Sequence, residues 1–120
     1  MPAPSPLAIA TGAVTRLCKE EKTYHKELAD GEAQLRRLEE ELRNGGADPD
    51  GNAEFMIKQQ KLSVEQTQAV FGPLRERIEA ARAKLVDLVE AEEKRGAGVP
   101  AELEKAKAAL QTAKEALEKA

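Results

Sequence analysis

Aromatic residues are scarce in this chain, which has no Trp, one Tyr and two Phe. Long apolar runs are also missing, so no segment is predicted to span a membrane. The N-terminus has neither a basic region nor an apolar core, which argues against a secretory signal. A single Cys cannot form an internal disulfide framework, and this favours a reducing, cytoplasmic setting.

Charged residues, in contrast, make up 34% of the 120 residues, and acids and bases alternate along the chain to leave a net charge of −3. Ala, Leu, Glu, Lys and Arg dominate, a composition typical of long helices or coiled coils. Such helices bury a thin apolar seam, so an enclosed substrate pocket is not expected. The absence of a clustered basic face argues against nucleic acid as a partner.

Residues that could carry catalysis or bind a metal are few. His25 and Cys18 are the only His and Cys, and two helical turns, roughly 10 Å, would separate them, which is too far to share one zinc ion. Cys18 is predicted to be a small packing residue, and His25 a solvated surface residue. No metal, no cofactor and no enzymatic activity are therefore predicted.

Two clusters of turn-forming residues, at 44–52 and 96–100, divide the chain into three predicted helices. Within a single domain spanning 1–120, helix 1 is predicted at about 6–43, helix 2 at about 50–95 and helix 3 at about 100–119. Ser5 and Pro6 are suited to the N-cap and the first helical position of helix 1. Gly45 or Gly46 is expected to end this helix in the left-handed conformation.

The apolar residues of these helices follow a regular heptad pattern. The seam of helix 1 consists of Leu7, Ala10, Val14, Leu17, Glu21, Tyr24, Leu28, Gly31, Leu35, Leu38 and Leu42. The seam of helix 2 consists of Ala53, Ile57, Gln60, Val64, Thr67, Phe71, Leu74, Ile78, Ala81, Leu85 and Leu88. If the chain folds back on itself, the two seams align without a slip, so that Leu38 faces Ile57 and Tyr24 packs against Phe71. This alignment predicts an antiparallel hairpin.

Helix 3 adds a shorter seam, which consists of Leu103, Ala106, Leu110, Ala113, Leu117 and Ala120. The predicted fold is an all-α antiparallel three-helix bundle with a two-helix half beyond the end of helix 3. The polar seam members Glu21, Gln60 and Thr67, together with Gly31, lie at or beyond that end, where they are expected to reach water. Pro73 is predicted to kink helix 2 at the junction, and a complete break there is the alternative.

Two surfaces are candidates for binding a partner. One is a charged face of helix 1, and the other is a strip of apolar residues on helix 2 whose partner would be a client or a second copy. The alternatives are that water solvates the first and that helix 1 side chains cover the second. The charged face consists of Thr15, Arg16, Lys19, Glu20, Lys22, Thr23, Lys26 and Glu27, and the strip of Phe55, Met56, Ile57 and Leu62.

The string TGAVTRLCKE at 11–20, followed by Tyr24 and by Lys26 and Glu27, resembles the N-terminal signature of the tubulin-binding cofactor A family. Pro73 with the RIEAA string at 77–81 resembles a second stretch of that family. The resemblance covers about residues 7 to 90. Ala13 and Thr15 depart from the usual residues, which weakens the transfer of individual contacts.

The resemblance implies a cytoplasmic, cytoskeleton-associated chaperone. It would bind β-tubulin folding intermediates released from the chaperonin and stabilise them before heterodimer assembly, without nucleotide. It also implies contact with other tubulin-folding cofactors, and either a monomer or a homodimer. The resemblance implies that the client contacts the residues of the charged face that match the signature, together with Tyr24, namely Arg16, Lys19, Glu20, Tyr24, Lys26 and Glu27.

Two other functions are consistent with a helical rod. A structural coiled-coil adaptor would use the same heptads to scaffold other helices. A prefoldin-like holdase would also use helical hairpins, but it needs strands between them, and 44–52 lacks a strand pattern. Binding to β-tubulin would separate the cofactor from both alternatives.

Overall fold

The computed structural model describes residues 3–45, 48, 50–96 and 99–119, and this part of the chain contains helices and no strand. The helices are α1 (Pro6–Gly45), α2 (Asn52–Ala69), α3 (Phe71–Arg95) and α4 (Pro100–Glu118). When α2 and α3 are joined, three helical segments remain, in agreement with the predicted number. The chain divides into two compact units, unit 1 with Met1–Glu21 and Gly72–Ala120, and unit 2 with Lys22–Phe71.

The N-terminus of α1 is capped as the sequence predicts. The Ser5 hydroxyl oxygen accepts a hydrogen bond from the Ala8 backbone N–H at 3.0 Å, and Pro6 begins the helix. The same hydroxyl donates to Glu102 Oε1 at 2.8 Å, which joins the start of α1 to the first turn of α4 within unit 1. One side chain therefore satisfies a helix end and links two helices.

Gly45, one of the two glycines expected to end α1 in the left-handed conformation, does not adopt it. Gly45 is the last residue of α1 without a positive φ, and Gly46 lies outside the described residues. The described glycines with positive φ are Gly51, before α2, and Gly96, after α3. The Gly96 N–H donates to the Glu92 carbonyl oxygen at 3.1 Å, so this glycine provides the C-terminal cap of α3.

At Pro73 the structure lies between a kink and a complete break. The helix is interrupted at the single residue Val70, whose φ of −72° and ψ of −26° are still those of a right-handed helix. Proline has no N–H to donate to the Ala69 carbonyl oxygen, so the hydrogen-bond ladder is interrupted four residues before it. The boundary between the two units, at Phe71 and Gly72, lies next to this proline.

Unit 1 contains most of the buried side chains. Leu7 and Val14 of α1, and Ile78 and Leu85 of α3, are at most 3% exposed. From α4 the fully buried residues are alanines, whereas Leu103, Leu110 and Leu117 are only partly buried. Besides Ala106 and Ala113 of the predicted seam, these alanines include Ala109 and Ala116, and Ala120 lies outside the described residues. Small residues on α4 allow its backbone to approach its neighbours closely.

Unit 2 has a thinner core. In its described part the buried hydrophobic residues are Ile57 and Val64, both on α2, while the leucines of the α1 seam are partly exposed. One expectation for the polar seam members is wrong, because Glu21, at the end of unit 1, is only 6% exposed instead of reaching water. Its burial is compatible with stability because every buried side-chain nitrogen or oxygen in the described part has a hydrogen-bond partner.

Candidate partner-binding surfaces

The predicted charged face of α1 is divided between the two units. In unit 1, Arg16, Lys19 and Glu20 are all exposed. The Glu20 carboxylate accepts a hydrogen bond of 3.2 Å from Arg77 Nη2 of α3, and both side chains remain about half exposed. An ion pair at this exposure contributes at most about 1 kcal/mol to stability, so both groups remain available to a partner.

In unit 2, Lys26 and Glu27 are exposed and Tyr24 is half-buried. Lys26 Nζ lies 3.0 Å from Asp30 Oδ2, an exposed pair one helical turn apart. Such a pair breaks at little cost, so it does not keep Lys26 from a partner. The half-buried position of Tyr24 leaves part of its ring available for contact.

In unit 2 the residue that stacks on Phe71 is His25, whereas the sequence indicated that Tyr24 packs against it. The rings of His25 and Phe71 stack with centroids 4.4 Å apart and an angle of 28° between their planes. His25 is half-buried, so the prediction that it is a solvated surface residue is wrong. His25 follows the seam position Tyr24 by one residue, so its ring lies close enough to Phe71 to stack on it.

The predicted apolar strip is only partly exposed. Phe55, Met56 and Leu62 are 60%, 44% and 47% exposed, values high for large hydrophobic side chains. Ile57, at 9%, belongs instead to the buried seam of α2. The structure therefore places three of the four strip residues on the surface and removes the fourth from it. Cys18 is buried, as predicted for a packing residue.

Sequence reasoning did not predict a groove between α1 and α2 in unit 2. The apolar side chains of its lining are Leu42 and Ile57. Its charged residues are Glu39, Arg43, Glu54, Lys58 and Lys61. The sequence does contain a signal for this groove, because its charged residues flank seam positions at helical spacing. Mixed charge around a small apolar floor is suited to a polypeptide side chain more than to a buried cofactor.

Other kinds of site find no support in the described ranges. No group of three or more His, Cys, Asp or Glu residues there could hold a metal ion. Within the same ranges, no helix combines the length and the apolar character needed to cross a bilayer.

Comparison with known proteins accounts for nearly the whole chain. The family model described as tubulin binding cofactor A matches residues 2–110. The crystal structure of tubulin folding cofactor A from Arabidopsis thaliana superimposes with a TM-score of 0.72 at 26% identity, covering 91% of this chain and 92% of that chain. No curated protein sequence matches significantly. Because the family model spans both units, the chain belongs to the tubulin binding cofactor A family.

Proposed function

We propose that this protein is a tubulin-folding cofactor that binds β-tubulin intermediates released from the chaperonin and stabilises them before they pair with α-tubulin. The observation that carries the proposal is the family match over residues 2–110. The proposed activity needs no nucleotide and no covalent chemistry. It takes place in the cytosol, with other tubulin-folding cofactors receiving the client afterwards.

The proposed architecture is an antiparallel three-helix bundle in which helical faces, and not a pocket, contact the client. Within unit 2, the stacking of His25 on Phe71 and the hydrogen bond of 3.0 Å from Gln60 Nε2 to the Gly31 carbonyl oxygen support antiparallel pairing of α1 with α2. Within unit 1, the ion pair between Glu20 of α1 and Arg77 of α3 likewise supports antiparallel pairing of these two helices. Preformed helical faces within each unit offer contact area at little cost in conformational entropy.

The proposed client surface is the charged face of α1. Arg16, Lys19 and Glu20 form its part in unit 1, and Arg77 of α3 adjoins them through its ion pair with Glu20. Tyr24, Lys26 and Glu27 form its part in unit 2. Charged residues at the edge of an interface accelerate association and select the partner, whereas partly exposed aromatic residues contribute more of the affinity.

The test is complex formation with the client itself. Purified chain is mixed with β-tubulin as the chaperonin releases it, in the absence of nucleotide, and the mixture is separated by size-exclusion chromatography with light scattering. We expect a stable complex of one chain to one β-tubulin, and no such complex with α-tubulin. Failure to retain β-tubulin would overturn the proposal and favour a structural adaptor.

A further inference from the structure

The first turns of α1, in unit 1, present an uncharged surface to solvent. Residues 1–15 contain no Asp, Glu, Lys or Arg, although charged residues make up 34% of the chain. Ile9, in this stretch, is 60% exposed, a high value for a large hydrophobic side chain. Gly12, one turn later, is exposed as well. Single exposed apolar residues are common, so the residues beside Ile9 decide what this surface can do.

Ile9 and Gly12 lie on the same side of α1 as the charged face. Ile9, Gly12, Arg16 and Lys19 recur at spacings of three, four and three residues, which places them on one face of the helix. All four are exposed. The buried residues of this part of α1 lie on the other side of the helix, and they are Leu7, Ala10 and Val14. The charged face therefore continues toward the start of α1 as the pair Ile9 and Gly12, here called the N-terminal extension.

Gly12 is a described glycine that the fold of the chain does not explain. Glycine is the poorest helix former after proline, so a glycine inside a helix lowers stability unless a contact compensates. Gly31 has such a contact, because side chains of α2 lie 3.4 Å from its Cβ position. Nothing lies within 4 Å of that position at Gly12. The other described glycines lie in the first or last turn of a helix or have a positive φ, and they are Gly45, Gly51, Gly72 and Gly96.

The missing side chain at Gly12 lets another backbone approach α1 from outside the chain. It leaves a notch in the row of side chains along the helix, and a second helix that crosses at the notch comes closer than it could over a larger residue. Ile9, one turn away, can then pack against apolar side chains of that helix. A small molecule would need a concave site, whereas this is the convex side of a helix. The N-terminal extension is therefore suited to a helix of another protein.

The charge beside the N-terminal extension narrows the partner further. Arg16, one turn after Gly12, is exposed, and it forms no ion pair within the described part of the chain. Glu20, one turn further along α1, pairs with Arg77 of α3 instead. The positive charge of Arg16 is thus left without a counter-charge. An acidic residue on the partner helix, one turn from the crossing point, would supply it.

We propose that the N-terminal extension binds a helix of the β-tubulin client, which crosses α1 at Gly12, covers Ile9 and places an acidic residue against Arg16. The inference rests on the proposed function, and it names the part of the client surface where the closest contact forms. The uncharged residues Ile9 and Gly12 supply the tightly packed contact, and the charged residues from Arg16 onward orient the client.

Affinity and stability measured on the same variants test the proposal. Chaperonin-released β-tubulin is titrated with each purified chain, and urea denaturation follows the stability of the chain alone. Gly12→Leu should weaken binding at least about tenfold, because the new side chain fills the notch. The same variant should unfold at a higher urea concentration than the native chain, because leucine is the better helix former. A merely structural role for Gly12 would lower stability and affinity together.

Two further variants test the contacts on either side of the crossing point. Ile9→Ser should weaken binding by about threefold to tenfold, because it removes the exposed apolar side chain. Arg16→Gln should also weaken binding, and the affinity that remains should depend less on salt concentration than that of the native chain. Salt dependence that is the same in Arg16→Gln and the native chain would contradict an acidic partner residue at this position.

Ala108→Leu is the matched control, because it adds bulk at an exposed position inside α4, also in unit 1. It should keep the native affinity within about twofold. If the native chain binds β-tubulin and Gly12→Leu binds equally well, this inference is overturned and the proposed function stands. If the native chain does not bind β-tubulin, both are overturned. Unchanged affinity in Gly12→Leu together with a loss of native self-association would assign the N-terminal extension to a second copy of the chain, which also overturns the inference.

Discussion

Gly31 lies on α1 at a point where side chains of α2 approach closely in unit 2. A Cβ atom built there would lie 3.4 Å from Gln60 Nε2 and 3.4 Å from Val64 Cγ2. Gln60 Nε2 also donates a hydrogen bond of 3.0 Å to the Gly31 carbonyl oxygen. A methyl group there would be in van der Waals contact with both side chains, so carbons added beyond it would crowd Gln60 and Val64.

Replacing Gly31 by Leu should lower the free energy of unfolding by about 1–3 kcal/mol, because the added carbons collide with Gln60 and Val64. Gly12 is the control, since nothing lies within 4 Å of a Cβ built there. Gly12→Leu should raise the free energy of unfolding by up to about 1 kcal/mol, because glycine is a poor helix former. Urea denaturation measures both changes. Effects of the same sign and size would contradict the close approach at Gly31.

Ile57 and Glu39 provide a comparison between the buried seam and an exposed position in the same unit. Ile57→Lys places a cation in the apolar seam of α2, and we expect a loss of about 2–4 kcal/mol in the free energy of unfolding. Glu39→Lys, at an exposed position of α1, should change it by no more than about 0.5 kcal/mol. Thermal denaturation followed by circular dichroism measures the stability of both variants. Equal losses in the two would contradict the placement of Ile57 in the core.

At this scale the sequence predicts which side of a helix is buried more reliably than which residue makes a contact. Heptad spacing identified Gly31, Ile57 and Val64 as seam positions, and all three are partly or fully buried. It could not distinguish His25 from Tyr24 as the partner of Phe71, because adjacent residues differ by about 100° around the helix and both lie near the seam. Heptad spacing also placed Glu21 in the seam, but the degree of its burial, to 6% exposed, depends on tertiary packing.

Among the helices, the interruption at Val70 follows from one missing hydrogen-bond donor. Pro73 lies in the first turn of α3, where a missing N–H is tolerated, and Ala69 becomes the last residue of α2. The Val70 N–H donates to the Thr67 carbonyl oxygen at 3.2 Å, the tighter three-residue spacing typical of a helix end. The sequence located this point through Pro73 but could not choose between kink and break, because the outcome depends on how the surrounding backbone packs.

Replacing Pro73 by Ala supplies an N–H that can donate to the Ala69 carbonyl oxygen. Because Val70 already has helical backbone angles, we expect α2 and α3 to become one continuous helix. Amide hydrogen exchange should slow for residues 70–74 relative to the native chain. Pro100→Ala, at the first position of α4, is the control and should leave exchange at 70–74 unchanged. Unaltered exchange in Pro73→Ala would show that another feature causes the interruption.

The start of α2 depends on a side chain in the preceding loop. Asp48 Oδ1 accepts a hydrogen bond from the Ala53 N–H at 3.0 Å, and Oδ2 accepts one from the Glu54 N–H at 3.1 Å. Asp48→Ala should therefore lower the free energy of unfolding by about 1–2 kcal/mol, as measured by urea denaturation. Asp50→Ala removes an exposed carboxylate nearby and should have little effect. A larger loss in Asp50→Ala than in Asp48→Ala would contradict the assignment of Asp48 as the cap of α2.

For the molecule as a whole, the two units carry different proportions of buried and exposed apolar surface. Unit 1 contains most of the buried hydrophobic residues, and unit 2 contains the exposed Phe55, Met56 and Leu62. The heptads predicted this difference because helix 3 is short. They could not predict the client, because a solvated charged face and a binding face have the same composition. The family match, and not the spacing, indicates tubulin as the partner.

The most direct measurement is the affinity of chaperonin-released β-tubulin for the native chain and for the double variant Arg16→Glu with Lys19→Glu. If the charged face of α1 binds the client, the native chain forms the complex and the variant binds at least about tenfold more weakly. Lys105→Glu with Lys114→Glu, the same charge change at exposed positions of α4, should stay within about threefold of native. No binding by the native chain, or equal binding by the native chain and the α1 variant, would contradict the account.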